Sequence, residues 1–199
     1  SSLSERCPGK VSFMLVPSAS TVYPEKLPLA APQMDEEARI NEAANVVQGG
    51  HFINVLPALY DHKDEYLYYR TDHHWTTLGA YYAYEAFCKE LGLTPFDRST
   101  HTVETAEDFY GTLFSSSGVR WLPPDHIDRY ISDEGVTVTA YPNGAPEPGS
   151  LYVDSYLQVK DKYSSFLGGN KPLCVIETEH TDAPKVLVIR DSYADSLAP

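Results

Sequence analysis

The first strongly apolar run, Val11-Ser12-Phe13-Met14-Leu15-Val16, is short and closed by Pro17, which predicts a buried strand rather than a helix. A loop carrying Pro17, Pro24, Pro28 and Pro32 follows. Asp35, Glu36 and Glu37 then stand where a helix N-terminus favours negative charge, and Ile40, Ala43, Ala44 and Val47 recur at i, i+3, i+4 and i+7. Gly49-Gly50 closes this helix. Residues 51–56 (HFINVL) predict a second strand, so residues 11–56 form a βαβ unit with a parallel strand pair.

A polar stretch after Pro57 leads to Tyr66-Leu67-Tyr68-Tyr69 and then to the dense cluster Arg70-Thr71-Asp72-His73-His74-Trp75. Thr76 or Thr77 caps a helix in which Leu78, Tyr81, Tyr84, Cys88 and Leu91 keep helical spacing, with Gly92 as its stop. The cluster thus sits on a loop that feeds a helix. From about residue 95 to 180 the pattern becomes β-rich and turn-rich. Residues 109–111 and 115–118 look loop-like, residues 136–139 alternate as a half-buried strand, and residues 151–159 and 173–176 predict further strands. We expect an elaboration of one domain spanning residues 1–199. Residues 185–190 (KVLVIR) predict a strongly apolar strand running straight into Asp191-Ser192-Tyr193. Ligands gather beyond the carboxyl ends of parallel strands, where Ser192 would stand.

Composition narrows the functional classes. In 199 residues, 42% apolar and 12% aromatic side chains are enough for a real core and argue against disorder. The 15 basic against 28 acidic side chains give a net charge of −13, which argues against a general nucleic-acid binder. No apolar run approaches the roughly 20 residues that cross a bilayer, and no charged start plus apolar h-region reads as a signal peptide, so the sequence is expected to be a soluble piece whose targeting segment lies outside it. Three cysteines, Cys7, Cys88 and Cys174, lack CxxC spacing, which excludes a zinc site built from close thiolate pairs. The 15 tyrosines suit either a sugar-facing surface or a tyrosine-rich core.

The chemistry concentrates in three residues. A serine hydroxyl is a poor nucleophile until a base takes its proton, and that base works best when a carboxylate fixes its tautomer. Ser192 after an apolar strand, with Asp72 two residues before His74, supplies these parts. By spacing alone, a serine after a strand is more often a helix cap than a nucleophile, and the Asp72-His73-His74 cluster also reads as a solvated loop or as holding a metal ligand. Acyl transfer also needs donors for a developing oxyanion. The Ser192 amide, at the start of a helix, is one candidate. Gly111, Gly169 and Asn170 are weaker ones, since Gly168-Gly169 also reads as a tight turn. Tyr110 and Tyr193 flank the site by sequence and are candidate substrate contacts.

Taken together, Asp72-His73-His74-Trp75-Thr76, Asp108-Phe109-Tyr110-Gly111-Thr112, Phe166-Leu167-Gly168-Gly169-Asn170 and Val188-Ile189-Arg190-Asp191-Ser192-Tyr193 resemble the bacterial DHHW protein family. That family looks like a relative of the alginate O-acetylation proteins within the SGNH/GDSL hydrolase-like group. The resemblance implies an SGNH-like three-layer α/β fold with a mainly parallel central sheet, a circularly permuted motif order and a β-rich insertion. It implies Ser192 as nucleophile, with Arg190 in place of the glycine of a Gly-Asp-Ser block. It likewise implies His74 as base and Asp72 as orienting acid, with His73 at a variable position. Ser192 Oγ and a His74 ring nitrogen are then expected within hydrogen-bond reach, with Asp72 on the other nitrogen.

The function so implied is an O-acetyltransferase or O-acetylesterase acting on cell-surface polysaccharide through an acyl-serine. It would work outside the cytoplasm, need no cofactor or metal, and receive acetyl from a membrane-bound acyltransferase partner. The net charge of −13 makes strongly anionic polymers unfavourable acceptors. The alternatives are a non-catalytic carbohydrate-binding or scaffold protein of the same fold, and a metal-dependent hydrolase using Asp72, His73 and His74. Only seven residues follow Ser192, so the sequence is expected to be a domain truncated after residue 199.

Overall fold

In the computed structural model the chain divides into two compact units, one of Ser1–Tyr69 with His73–Phe96 and one of Arg70–Asp72 with Asp97–Pro199. The structure describes residues 3–8, 10–47, 49–131, 135–180, 182 and 184–199.

The first unit opens with a short helix α1 (Leu3–Arg6) and carries the expected βαβ unit. β1 (Ser12–Met14) pairs in parallel with β2 (His51–Ile53), placing Ser12 opposite His51 and Met14 opposite Ile53. Between them lie a one-turn helix α2 (Ala19–Val22) and α3 (Glu36–Val46). Asp35 caps α3 by accepting from the Ala38 amide at 2.9 Å. The Glu36 carboxylate reaches back to accept from the Ser18 amide, the Ser18 hydroxyl and the Thr21 hydroxyl at 2.8, 2.9 and 2.6 Å. Burial alone would raise its pKa, but the Thr21 and Ser18 donors together outweigh burial and hold it below the ordinary glutamate value.

The second predicted strand ends three residues early. Asn54 Oδ1 accepts from the Leu56 amide at 3.1 Å and starts α4 (Leu56–Asp61), with Pro57 in the first turn, where its missing N–H costs nothing. Leu56 and Leu59 of α4 are buried, each worth about 1.5–3 kcal/mol. The long helix α5 (Thr77–Leu91) forms where predicted: Thr76 accepts from the Gly79 amide at 3.2 Å, and Gly92 ends it in the left-handed region at φ 66°. Its tyrosines form core. Tyr82 donates to the Glu65 carboxylate at 2.9 Å and stacks on His62 at 3.7 Å, while Tyr81 donates to the Phe96 carbonyl at 2.9 Å. Among the described residues no helix is long and apolar enough to cross a membrane.

The second unit is built on antiparallel pairs. β3 (Thr102–Phe109) runs against β4 (Asp125–Ile131), with a register break between Ala106 and Phe109 where Asp108 has φ 60°. A helix α6 (Thr112–Ser117) separates them and ends at Gly118, φ 74°. β5 (Val136–Ala140) lies between β6 (Glu147–Pro148) and β7 (Cys174–Thr178), antiparallel to both. Val138, Leu151 and Leu167 pack beneath them.

Four expectations need correction. Residues 115–117 are not a loop but the end of α6, with Gly118 as its cap; the Ser115 and Ser116 hydroxyls are absorbed by the carbonyls of Gly111 and Thr112, both at 2.9 Å, rather than opening a turn. Residues 151–159 contain a 3-10 turn, Asp154–Gln158, and no strand beyond a bridge from Tyr152 to Phe166. Residues 185–190 carry no regular secondary structure and pair with no strand among the described residues; Val186, Leu187, Val188 and Ile189 are 69%, 82%, 62% and 86% exposed. Apolarity signals the need for cover, whereas a strand requires a neighbouring backbone to bond with. The mainly parallel central sheet is accordingly not found among the described residues: the parallel part is the β1–β2 pair, and the remaining sheets are antiparallel.

Candidate active site

Within the first unit, an antiparallel bridge between Tyr68 and Trp75 holds the histidine-bearing segment. The Tyr69 amide donates to the His74 carbonyl at 3.3 Å and the Thr76 amide to the Leu67 carbonyl at 2.8 Å. Trp75 is fully buried, His74 is buried and His73 is exposed, its ring 3.9 Å from that of His74. Tyr68 anchors the arm by donating to the Pro17 carbonyl at 2.7 Å. α5 approaches it so closely that a Cβ on Gly79 would lie 2.4 Å from the Leu67 oxygen. The backbone of His74 is therefore fixed by the element that follows it.

Within the second unit, Asp72 is buried and its Oδ2 accepts from both the amide and the hydroxyl of Thr112, at 2.8 and 3.1 Å. Gly111 lies directly against that side chain, since a Cβ there would come within 2.3 Å of Asp72 Cβ and Oδ2. Tyr110 packs on Phe114 at 4.4 Å.

Ser192 is half-buried and begins a 3-10 turn, Ser192–Asp195, capped by Asp191 accepting from the Tyr193 amide at 3.0 Å. Four residues of 3-10 turn supply little aligned dipole, so the helix-end argument for the Ser192 amide does not apply. The Tyr163 hydroxyl donates to the Ser192 carbonyl at 3.0 Å and lies 3.1 Å from Ser196 Oγ. Burial raises the Tyr163 pKa strongly; the charges of Asp195 and Asp72 add to this and a bond with Ser196 offsets part of it, so the phenol stays protonated. The Asp72 carboxylate and the Ser192 segment therefore act on one buried phenol.

Arg190, two residues before Ser192, donates to Asn170 Oδ1 at 3.1 Å and to the Asp191 carbonyl at 3.1 Å, and pairs with Asp195. Because a guanidinium only donates, it fixes the Asn170 amide with its oxygen toward Arg190. Gly169 adopts φ 76°, and a Cβ there would meet Ser164 Oγ at 2.9 Å. Leu167 and Gly168 also have positive φ, which makes this segment a turn. The structure thus brings together Asp72, Gly111 and Tyr110 around α6, and Asn170 and Ser192 around Arg190. Sequence reasoning gave no role to Thr112, Tyr163 or Asp125, whose partners lie far away along the chain.

A profile described as DHHW protein matches residues 41–199, a span that includes Asp72-His73-His74-Trp75 and Ser192. The chain belongs to the DHHW protein family. A crystal structure of a DHHW family protein from Eubacterium siraeum DSM 15702 superposes with a TM-score of 0.83 at 31% identity, over 96% of this chain and 65% of that one. This DHHW chain therefore spans less than two thirds of the length of that relative. Bacillus cereus PatB1 with a sulfonyl adduct gives a TM-score of 0.79 at 17% identity, covering 98% of this chain and 69% of that one. A second PatB1 structure gives 0.77 at 17% identity, over 98% and 70%. At that identity the likeness is one of fold. No curated protein matches the sequence significantly.

Proposed function

We propose that this DHHW protein transfers an acetyl group through an acyl-serine, with Ser192 as nucleophile, His74 as general base and Asp72 as the acid that orients the imidazole. The acceptor is a hydroxyl of a neutral cell-surface polysaccharide. The donor is an acetyl carrier served by a membrane-bound acyltransferase, and the setting is outside the cytoplasm. One observation carries most weight: Asp72 is buried and gripped through one oxygen by Thr112, while its charge bears on the same phenol that bonds the Ser192 backbone. A carboxylate so fixed suits the holding of an imidazole tautomer. PatB1, which shares the fold, has been captured with a sulfonyl adduct, and sulfonyl electrophiles react with activated nucleophiles.

In the first half-reaction Ser192 Oγ bonds to the acyl carbon as its proton passes to His74, and the donor's leaving group departs with that proton. In the second, His74 takes the proton of the acceptor hydroxyl, that oxygen bonds to the acyl carbon, and the Ser192 Oγ–acyl bond breaks as Oγ regains a proton. Asn170, its oxygen turned to Arg190, keeps its amide N–H groups as candidate oxyanion donors. Tyr110 and Tyr193 are the proposed acceptor contacts.

The test is acetyl release from p-nitrophenyl acetate with and without a neutral oligosaccharide. Nitrophenol release by the wild type, its loss in Ser192→Ala, and a mass gain of one acetyl on the oligosaccharide are expected. Acetate alone would make the protein an esterase. No release by folded wild type would leave the carbohydrate-binding scaffold as the better account.

A further inference from the structure

Asp125 opens β4 with its side chain fully buried. A buried carboxylate only accepts hydrogen bonds, and burying it costs several kcal/mol unless its lone pairs are met. Here two consecutive residues meet them. Oδ1 accepts from the Arg70 amide and from Arg70 Nε, both at 3.1 Å, and Oδ2 accepts from the Thr71 amide at 2.7 Å and the Thr71 hydroxyl at 2.5 Å. Those two residues immediately precede Asp72. Thr71 is also held from α6: its carbonyl accepts from the Phe114 amide at 2.9 Å and its hydroxyl oxygen from the Gly111 amide at 3.2 Å.

This arrangement is poorly explained as a device for stability alone. The Arg70 side chain is 54% exposed, so its pairing with Asp125 contributes little. Buried ionic groups are in general weak evidence of a stabilising role, since an ion pair replaced whole by apolar groups is often no less stable. What this arrangement does achieve is direction. The backbone entering Asp72 is fixed by Asp125, and the carboxylate of Asp72 is fixed by Thr112.

We propose that Asp125 is a positioning residue for Asp72: it clamps Arg70 and Thr71 so that the Asp72 carboxylate is delivered to Thr112 in one orientation. Its consequence for the reaction rests on the function proposed above; the clamp itself does not. Asp125→Asn keeps the shape but turns an amide N–H₂ toward a backbone N–H, setting donor against donor.

The experiment joins two readouts on the full chain. Amide hydrogen exchange should show Thr112 losing protection by at least about tenfold in Asp125→Asn, the scale of one charge-assisted hydrogen bond, while Ile127 in β4 keeps its protection. In p-nitrophenyl acetate turnover, Asp125→Asn should lower kcat by up to about 100-fold, as a small misplacement of a reacting group does, with KM little changed. In an Asp72→Asn background the same substitution should cost less than about twofold, because the two act as a unit. Unchanged protection at Thr112, or a loss that multiplies fully with that of Asp72→Asn, would overturn the proposal. Inactive wild type would refute the proposed function and leave the exchange readout to decide the clamp. Should Asp125→Asn not fold, Thr71→Val removes the same hydroxyl contact and is read in the same way.

Discussion

Thr112 holds Asp72 with two atoms, amide and hydroxyl, both on Oδ2 at 2.8 and 3.1 Å. Thr112→Val keeps the amide and the shape but removes the hydroxyl. Because Thr112 is exposed, the lost bond is worth about 1 kcal/mol, toward the lower end for a charged acceptor. We expect a five- to tenfold lower turnover, by ~1 kcal/mol conversion, with a nearly unchanged melting temperature. Nitrophenyl acetate kinetics beside a thermal melt check both halves.

Gly111→Ala tests the same contact sterically. Gly111 has φ −87°, which alanine adopts freely, so any effect comes from the Cβ driven to 2.3 Å from Asp72. Overpacking of this kind costs about 1–3 kcal/mol, and turnover should fall with it. Gly118→Ala is the contrast: φ is 74° and nothing lies within 4 Å, so it should cost about 1–2 kcal/mol of stability through backbone strain and leave activity alone.

Tyr163→Phe removes the donor to the Ser192 carbonyl. At neutral pH it should destabilise by about 1 kcal/mol through loss of this part-buried hydrogen bond. The folded-state pKa of Tyr163 lies above the usual 10.0, so its protonated form is favoured by folding. That contribution is complete below pH 10 and fades only as pH rises toward the folded value. Urea midpoints of wild type and Tyr163→Phe should therefore stay apart at pH 7 and converge at strongly alkaline pH.

Glu36 works in the opposite sense. Its folded-state pKa lies below the ordinary 4.5, so the stability it adds is present above pH 4.5 and is lost as pH falls through the lower folded value. Wild type should lose stability more steeply than Glu36→Gln below pH 4.5, and parallel acid-limb slopes in urea melts would show that the Ser18 and Thr21 contacts contribute nothing.

These contacts also mark where sequence reasoning runs out. The β1–α3–β2 unit and α5 were legible because Ile40, Thr76 and Gly92 sit in short-range patterns of periodicity and capping. α4 was hidden because Leu56 continues the apolar run of β2 and the turn depends on Asn54. α6 was hidden because three serines resemble a loop until their hydroxyls bond back along the helix. The apolar character of Val186–Ile189 was plain, but hydropathy says nothing about which backbone pairs with it. At the site, Asp72, His74 and Ser192 are proposed from motif chemistry. The grip of Thr112 on Asp72, the clamp of Asp125 on Thr71 and the bond from Tyr163 to Ser192 were not legible, since no local pattern records contacts between distant stretches of chain.

The central claim is that Ser192 is an activated nucleophile. Treating the folded chain with a sulfonyl fluoride and mapping the adduct by peptide mass spectrometry tests it most directly. The account predicts one modified residue, Ser192, with labelling abolished in Ser192→Ala and strongly slowed in His74→Ala and Asp72→Asn. A folded wild-type protein that stays unlabelled, or one labelled equally well after Ser192→Ala, would contradict it.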